Sequence, residues 1–546
     1  MTRTGPCGRT GSGLHDWTSF TATRTIRDLL PFELALAPDE DGPLHVQIRE
    51  QLRQAILQRR LPAGRRLPSS RILAQHLACA RGTVLLALEQ LAAEGYVETH
   101  PGAGTFVARD LPEELLHAPA LGLGQSMPGH HPLVAKLSSR AAALLGRPSP
   151  SPWLMPVSAK PRAFALGRPA PDAFPFELWA KLLEAEWRDP PGGGAEPPHP
   201  FGDARLRHAI AAYLASARGF ACDPATVVVT SGVREALSLL AHLLLDPGEP
   251  VWVEEPGFAG VLGALTAAGL RPVPIRVDQG GFPVAAALDR EPAARMVVVT
   301  PAHQYPLGVT MTLARRLALL QWAEAADGWI VEDDYDGEYR YAGRPLAPLR
   351  ALDRSGRVAY VGSFSKVLFP SLRLGYLILP AALVTAAERL LVAHGASTTS
   401  LGQAALARFV TEGHFAAHLR RTRRLYAERQ AVLVDEARRH LEGLLTVAAD
   451  PAGMHLIARP SGTTASEFDD EHAAHIAAGA GISVVPLSRH YAEGAGEAGL
   501  LLGYAALTPG TIRAAITLLA TVLRRGISGG SREFGPSSAS SAGWAN

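Results

Sequence analysis

Hydrophobic positions along the chain follow two rhythms. Near the N-terminus, Leu44, Ile48, Leu52 and Ile56 recur every four residues and predict one apolar helix face. Pro62 and Gly64 then break the chain. Ser69 or Ser70 is placed to cap a second helix carrying Ile72, Leu73 and Leu77. A short turn leads to a third helix with Val84, Leu85, Leu88 and Leu91 on its apolar side, stopped by Gly95. Tyr96–Glu98 and Thr105–Val107 read as strands around the tight turn Pro101-Gly-Ala-Gly104. Three helices followed by a hairpin predict a winged helix-turn-helix over residues 31–110.

From about 163 to 525 the rhythm changes to short apolar runs separated by longer helical patterns. Val227–Thr230, Pro250–Val253, Met296–Val299, Gly328–Val331 and Val358–Gly362 read as strands, and Arg234–Leu245 as a helix after the first of them. This alternation predicts an α/β domain with a mostly parallel sheet, whose functional groups sit at the carboxyl ends of the strands. Residues 1–30 and 526–546 are rich in small and polar residues and read as disordered tails. Residues 111–162, with Pro148-Ser-Pro-Ser-Pro152, read as a linker with stiff extended parts, and Leu133–Leu145 within it has a helical pattern.

Composition changes the picture only in part. Apolar residues make up 47% of the 546, as in ordinary folded proteins, and no uninterrupted apolar run is long enough to span a membrane. The first residues lack an apolar h-region, so no secretory signal is expected. Cys7, Cys79 and Cys222 are too scattered for a disulfide framework or a metal cluster, and a cytoplasmic location is the expectation. Net charge is +2 overall, yet residues 43–109 hold nine arginines against four glutamates, a net +5. A basic head on a slightly acidic body suits contact with a polyanion at one end.

In a winged helix-turn-helix the third helix enters the major groove of DNA and the wing lies beside it. Arg71, Arg81 and Thr83 fall where the starts of the second and third helices would face DNA. The planar fork of arginine suits phosphates and guanine edges. Gly102 and Gly104 would let the wing backbone come close to the duplex. Gly82, inside the expected recognition helix, costs roughly 1 kcal/mol against Ala and removes a potential base contact.

The body carries a second chemistry. Lys366, in Ser363-Phe-Ser-Lys366 just after a predicted strand, has the setting of a lysine that condenses with the aldehyde of pyridoxal phosphate (PLP) as a Schiff base. Asp333 ends the run Trp329-Ile-Val-Glu-Asp and could pair with the pyridinium, and Tyr335 could bond the phenolic oxygen. Ser231, Gly232 and Val233 lie between strand and helix, where backbone N–H groups form an anion site. Ser363, Ser365 and Arg373 would complete a phosphate cup, and Phe258 could stack on the ring. The acidic run Glu332–Asp336 is also compatible with a metal site or a plain acidic loop.

Two resemblances follow from these motifs. The stretch from Pro43 to Val107, with Leu-Pro-Ala-Gly-Arg-Arg-Leu-Pro-Ser-Ser-Arg71 and Gly102-Ala-Gly-Thr-Phe-Val107, closely resembles the GntR family of bacterial regulators. Its turn, Ala78-Cys-Ala-Arg-Gly-Thr83, departs from the usual Gly-Val-Ser-Arg. The body resembles the fold-type I aminotransferases. Together, with Thr300-Pro-Ala-His-Gln-Tyr-Pro-Leu-Gly-Val309, Glu332–Tyr341, Ser363–Tyr376 and Glu412–Arg421, they resemble the MocR/GabR family of PLP-dependent regulators.

The resemblance implies Lys366 as the Schiff-base lysine, Asp333 on the pyridine nitrogen, Tyr335 on the phenolic oxygen and His303 to Tyr305 on the same face. It implies PLP as cofactor, double-stranded operator DNA and a small amine or amino acid as partners, and a homodimer with heads swapped between subunits. The expected function is a transcriptional regulator that senses its effector through an aldimine at Lys366. An active aminotransferase with a DNA-binding head is the alternative, and a repressor that has lost PLP a third reading. Phe258 replaces the tyrosine common in the family. The strand Gly499–Tyr504 lacks the carboxylate-binding arginine of aminotransferases, leaving Arg489 and Arg459 as substitutes.

Overall fold

The computed structural model describes residues 30–111 (without 31, 33, 35, 37–41 and 110), 138–145, and 162–529 (without 191–197, 344–346, 396–399, 401, 463–464 and 495). Most of the expected N-terminal tail, most of the expected linker, Cys7 and residues 530–546 lie outside the described residues. The chain divides into two compact units between residues 134 and 135.

In the first unit, α1 spans Leu44–Leu57, α2 Ser70–His76 and α3 Arg81–Ala93. Strands β1 (Val97–His100) and β2 (Gly104–Val107) form an antiparallel hairpin. Ser69, the first of the two expected caps, accepts from the Ile72 amide at 3.4 Å. Gly95, at φ +82°, follows the end of α3. Ile48, Leu52, Ile56, Leu73, Val84 and Leu91 make the core, joined by Leu30 and Leu34. Two expected core positions face outward instead: Ile72 is 40% exposed and Leu85 38%. In α3 the inward stripe runs through Val84, Ala87, Leu88 and Leu91, because Ala87 fills the helix-spaced position that Leu85 would miss. The segment before α2 also pairs with the wing, through the Leu67 amide to Thr105 O (2.8 Å) and the Val107 amide to Arg65 O (2.9 Å).

The second unit has a seven-stranded sheet of β3 (Val227–Thr230), β4 (Pro250–Glu255), β5 (Arg271–Arg276), β6 (Met296–Val299), β7 (Trp329–Asp334), β8 (Val358–Ser363) and β9 (Gly375–Ile378). The order is β3-β9-β8-β7-β6-β4-β5. Only β9 runs against its neighbours. Both faces are buried, which is why the strands read as continuous apolar runs. Val251, Val253, Val298 and Val331 face one layer, and Trp252, Val297, Val299 and Ile330 the other.

Helix α4 (Ser139–Leu145) falls within the stretch expected as linker and packs on α6 (Ala259–Ala267). Between β3 and β4 lies α5 (Val233–Leu244). A long helix, α7 (His414–His440), leads to a second, antiparallel sheet of β10 (Leu445–Val447), β11 (His455–Pro460), β12 (Val485–Pro486) and β13 (Leu500–Gly503). The last helix, α8, spans Pro509–Gly529, so helix extends into the first residues of the expected C-terminal tail. Among the described residues, no helix is long and apolar enough to cross a membrane.

Candidate cofactor site and DNA-binding head

The carboxyl ends of β3, β7 and β8 gather most of the residues expected to hold PLP. Ser363 ends β8 opposite Gly375, which in turn pairs with Thr230 on β3. That register brings Ser231, Gly232 and Val233, at the start of α5, alongside the lysine loop. A Cβ on Gly375 would lie 2.8 Å from the Gly362 carbonyl oxygen on β8 and 3.2 Å from the Gly232 Cα, so the backbone approaches too closely there for any side chain. The carboxylate of Glu235 accepts from the Ser231 amide at 2.5 Å, an acidic group placed where a helix start favours negative charge. Arg373 is exposed and left-handed at φ +50°, and Ser365 is half-buried.

Lys366 is half-buried, and its Nζ lies 3.4 Å from the carbonyl oxygen of Gly167. Burial lowers its pKa below the ordinary lysine range, against the raising influence of Asp336 and Asp333, and Arg234 lowers it further. A desolvated, more readily neutral amine is what nucleophilic attack on an aldehyde requires. The loop is held by its next carbonyl: Val367 O accepts from Tyr339 Oη at 3.1 Å and from His418 Nε2 at 3.0 Å. Burial lowers the pKa of His418, favouring a neutral ring that donates from Nε2.

The acidic run separates into distinct tasks. Glu332 accepts from the Leu349 and Arg350 amides at 2.8 and 2.9 Å. Asp334 forms an ion pair with Arg218 and accepts from Tyr360 Oη. Asp336 meets His303 Nδ1 at 2.9 Å. Asp333 lines the small cavity near the lysine, and burial, with Asp336 and Glu254 nearby, pushes its carboxyl up to about 7. A cation brought to it would restore its ionised form. Among the described residues, no group of His, Cys, Asp and Glu is arranged to hold a metal.

Tyr335 Oη lies 3.0 Å from His303 Nδ1. Burial would depress the His303 pKa, but Asp336 and Asp450 outweigh it and hold it up to about 10. His303 Nε2 lies 3.4 Å from Asp450 of the loop before β11. Of the other two residues expected on this face, Gln304 ties the loop to Pro256 O, and Tyr305 Oη meets His490 Nε2 at 3.1 Å. A small cavity lined by Phe258, Val299, Thr300, Tyr305 and Asp333 lies beneath. Phe258 meets Tyr305 edge-on, ring centroids 5.9 Å apart. Of the substitute carboxylate binders, Arg489 is engaged with Glu471, and Arg459 is exposed on β11.

These groups fit PLP: an amine with a lowered pKa, a buried carboxyl that a pyridinium would satisfy, a hydroxyl, a small cavity lined by Phe258 and Asp333, and a helix start. Gly167, Arg234, Asp450 and the Tyr339–His418 support were not legible as site residues. They come from distant segments, and only Arg234, next to the expected anion site, carried a local signal.

In the head, Arg71, Arg81 and Gly82 are exposed, and Thr83 is half-buried. Arg81 Nε donates to Ser70 Oγ at 3.1 Å, tying the start of α3 to that of α2. Gly82 occupies the first turn of α3, with open space where a Cβ would project. Gly102 (φ +78°) is equally open, whereas a Cβ on Gly104 (φ +112°) would lie 2.9 Å from Arg66 Nε.

Comparisons with known proteins agree with this division. Residues 44–107 match the family "Bacterial regulatory proteins, gntR family", and residues 177–519 match "Aminotransferase class I and II". The chain is 41% identical over 498 residues to the probable rhizopine catabolism regulatory protein MocR of Rhizobium meliloti, covering 89% of this chain and 95% of that protein. It is 31% identical over 494 residues to the HTH-type pyridoxine biosynthesis transcriptional regulator PdxR of Corynebacterium glutamicum, covering 89% and 97%. The kynurenine aminotransferase structure from Pyrococcus horikoshii matches with a TM-score of 0.61 at 26% identity, over 71% of this chain and 95% of that one. Fold and site thus define a GntR-type DNA-binding head joined to a fold-type I aminotransferase body. The chain belongs to the MocR/GabR-type transcriptional regulators.

Proposed function

We propose that this regulator holds PLP on Lys366 and uses it to sense a small amine or amino acid, with DNA affinity as the output. The observation that carries this reading is the pairing of Lys366, its pKa lowered by burial, with Asp333, a buried carboxyl held up to about 7. When bound, PLP supplies an aldehyde that exchanges its lysine partner for an incoming amine. The chain's own residues do the rest. Asp333 holds a proton on the pyridine nitrogen, and Tyr335, fixed by His303, donates to the phenolic oxygen. Ser231, Gly232, Val233, Ser363, Ser365 and Arg373 bind the phosphate, while Phe258 covers the ring. The free Lys366 amine meets the Gly167 carbonyl, and its loop is held by Tyr339 and His418, so these contacts are where a change in the amine's partner would be felt.

In the head, Arg71, Arg81 and Thr83 contact operator DNA, and Gly102 and Gly104 shape the wing beside it. A homodimer with exchanged heads presents two such readers to two half-sites. For the effector to switch affinity, it must bind one state of the protein better than the other.

The test is a visible spectrum of the purified protein before and after candidate amines. A lysine-bound cofactor band that shifts without formation of keto acid supports a sensor. The same band must be absent from Lys366→Ala, whose head should remain folded. Retention of a covalent cofactor band in that variant would refute the assignment. Steady conversion of an amino donor to keto acid supports the second reading, a working aminotransferase, favoured by the likeness to kynurenine aminotransferase.

A further inference from the structure

An open cleft of about 300 Å³ on the body shares no lining residue with the cavity at Asp333; its walls are Arg340, Tyr341, Arg420, Arg423, Arg424 and Ala427. Four come from α7, where positions 420, 423, 424 and 427 fall at helical spacing on one face. Ala427, the smallest of them, leaves the floor of the cleft open. Arg340 enters from the segment after β7, which bridges to Ala452.

Several arginines of the body are matched: Arg205 with Asp203 and Glu186, Arg218 with Asp334, Arg408 with Glu412 and Arg429 with Asp172. Among the described residues, the four arginines of the cleft form no ion pair, and no carboxylate lines it. Arg423 Nε is anchored on Glu338 O, which fixes its guanidinium at the rim. Arg340 Nε is buried without a hydrogen-bond partner. Like charges one turn apart weaken a helix, and an enclosed unpaired N–H is costly. Both penalties are relieved by one event, the arrival of an anion with several oxygens.

We infer that this cleft binds a phosphate-bearing anion of more than one negative charge. Guanidinium groups favour phosphate through paired N–H···O bonds, and four of them match a diphosphate better than a single carboxylate. At about 300 Å³ the cleft reaches the lower end of the range of small-ligand sites. The phosphate could belong to a free small molecule or to the backbone of DNA, and the chemistry of recognition is the same.

Titration of the full-length protein with pyrophosphate at low salt tests this, comparing wild type with R420A/R424A. The variant retains the phosphate cup at Ser231 and Arg373, so any difference reports on the cleft. Wild type should bind saturably, and the variant should lose on the order of tenfold in affinity per guanidinium removed. R420K/R424K, which keeps charge without the fork, should fall between them, and circular dichroism should show all three folded alike. No saturable binding, or equal affinity in wild type and R420A/R424A, overturns the proposal. A duplex-DNA arm separates the sources, both of which uphold the cleft. Competition by DNA, with a salt slope reduced by about 2 in the double alanine variant, assigns the cleft to backbone phosphates. Pyrophosphate binding that DNA leaves untouched assigns it to a free anion.

Discussion

Replacing Gly167 by alanine should cripple cofactor attachment while leaving the fold in place. Gly167 sits at φ +64°, and a Cβ built there would lie 2.2 Å from Lys366 Nζ and 3.4 Å from its Cε. An ordinary contact starts near the second distance, so the amine must retreat by about 1 Å. The obstructing atom is the end of a flexible side chain, and therefore the lysine gives way rather than the backbone. The left-handed conformation costs a further 1–2 kcal/mol or so, about 2–4 °C in Tm. A misplacement of about 1 Å can slow a reaction roughly a hundredfold. The matched control is Gly219→Ala, also left-handed at φ +75° but with nothing within 4 Å of its Cβ, so that it carries the strain without the collision. Growth of the visible band after mixing the apoprotein with PLP is the assay. Wild-type kinetics in Gly167→Ala, or equal slowing in both variants, would refute the steric argument.

Other outcomes follow from the same geometry. Arg218→Ala should destabilise the body by about 3–5 kcal/mol in urea unfolding, because it strands the nearly inaccessible Asp334; an R218M/D334L pair should recover most of that loss. Asp333, held up to about 7 against about 4 when unfolded, keeps its proton in the folded chain after the unfolded chain has released it. Apoprotein stability should therefore fall as pH rises from about 4 to 7. Glu254, also pushed up to about 7 by burial, acts in the same direction, so Asp333→Asn should flatten that slope only in part. His303, held up to about 10, contributes stability that is complete below about 6.5 and lost as pH climbs toward 10; a thermal melt series on His303→Gln checks this. Arg81→Ala should weaken DNA binding across all sequences and reduce the salt slope by about 0.9 if the side chain meets one phosphate; an unchanged slope excludes that contact.

What the sequence discloses depends on distance along the chain. Lys366 with Ser363, and Asp333 with Tyr335, are legible because each pair lies within a few residues at a strand end. β5 is hard to see because Arg271-Pro-Val-Pro-Ile-Arg276 carries two prolines, tolerable only since it lies at the sheet edge. β9 is short and begins with Gly375. Leu85 and Ile72 mislead for another reason: in helices this rich in apolar residues, periodicity cannot choose which leucine turns inward. The clamp of His303 on Asp336 and Asp450 joins three loops far apart in sequence, and no local pattern announces it.

The support under Val367 has a mechanical corollary. His418, one turn into α7, grips the lysine loop, and the other end of that helix leads through the short turn 441–444 to β10. At about 1.5 Å per residue, 27 residues make a rod of roughly 40 Å. The lysine loop therefore holds the short end of a lever. A tilt of about 5° at His418 carries the far end roughly 3 Å, enough to turn a contact formed or broken at one carbonyl into a displacement of the second sheet.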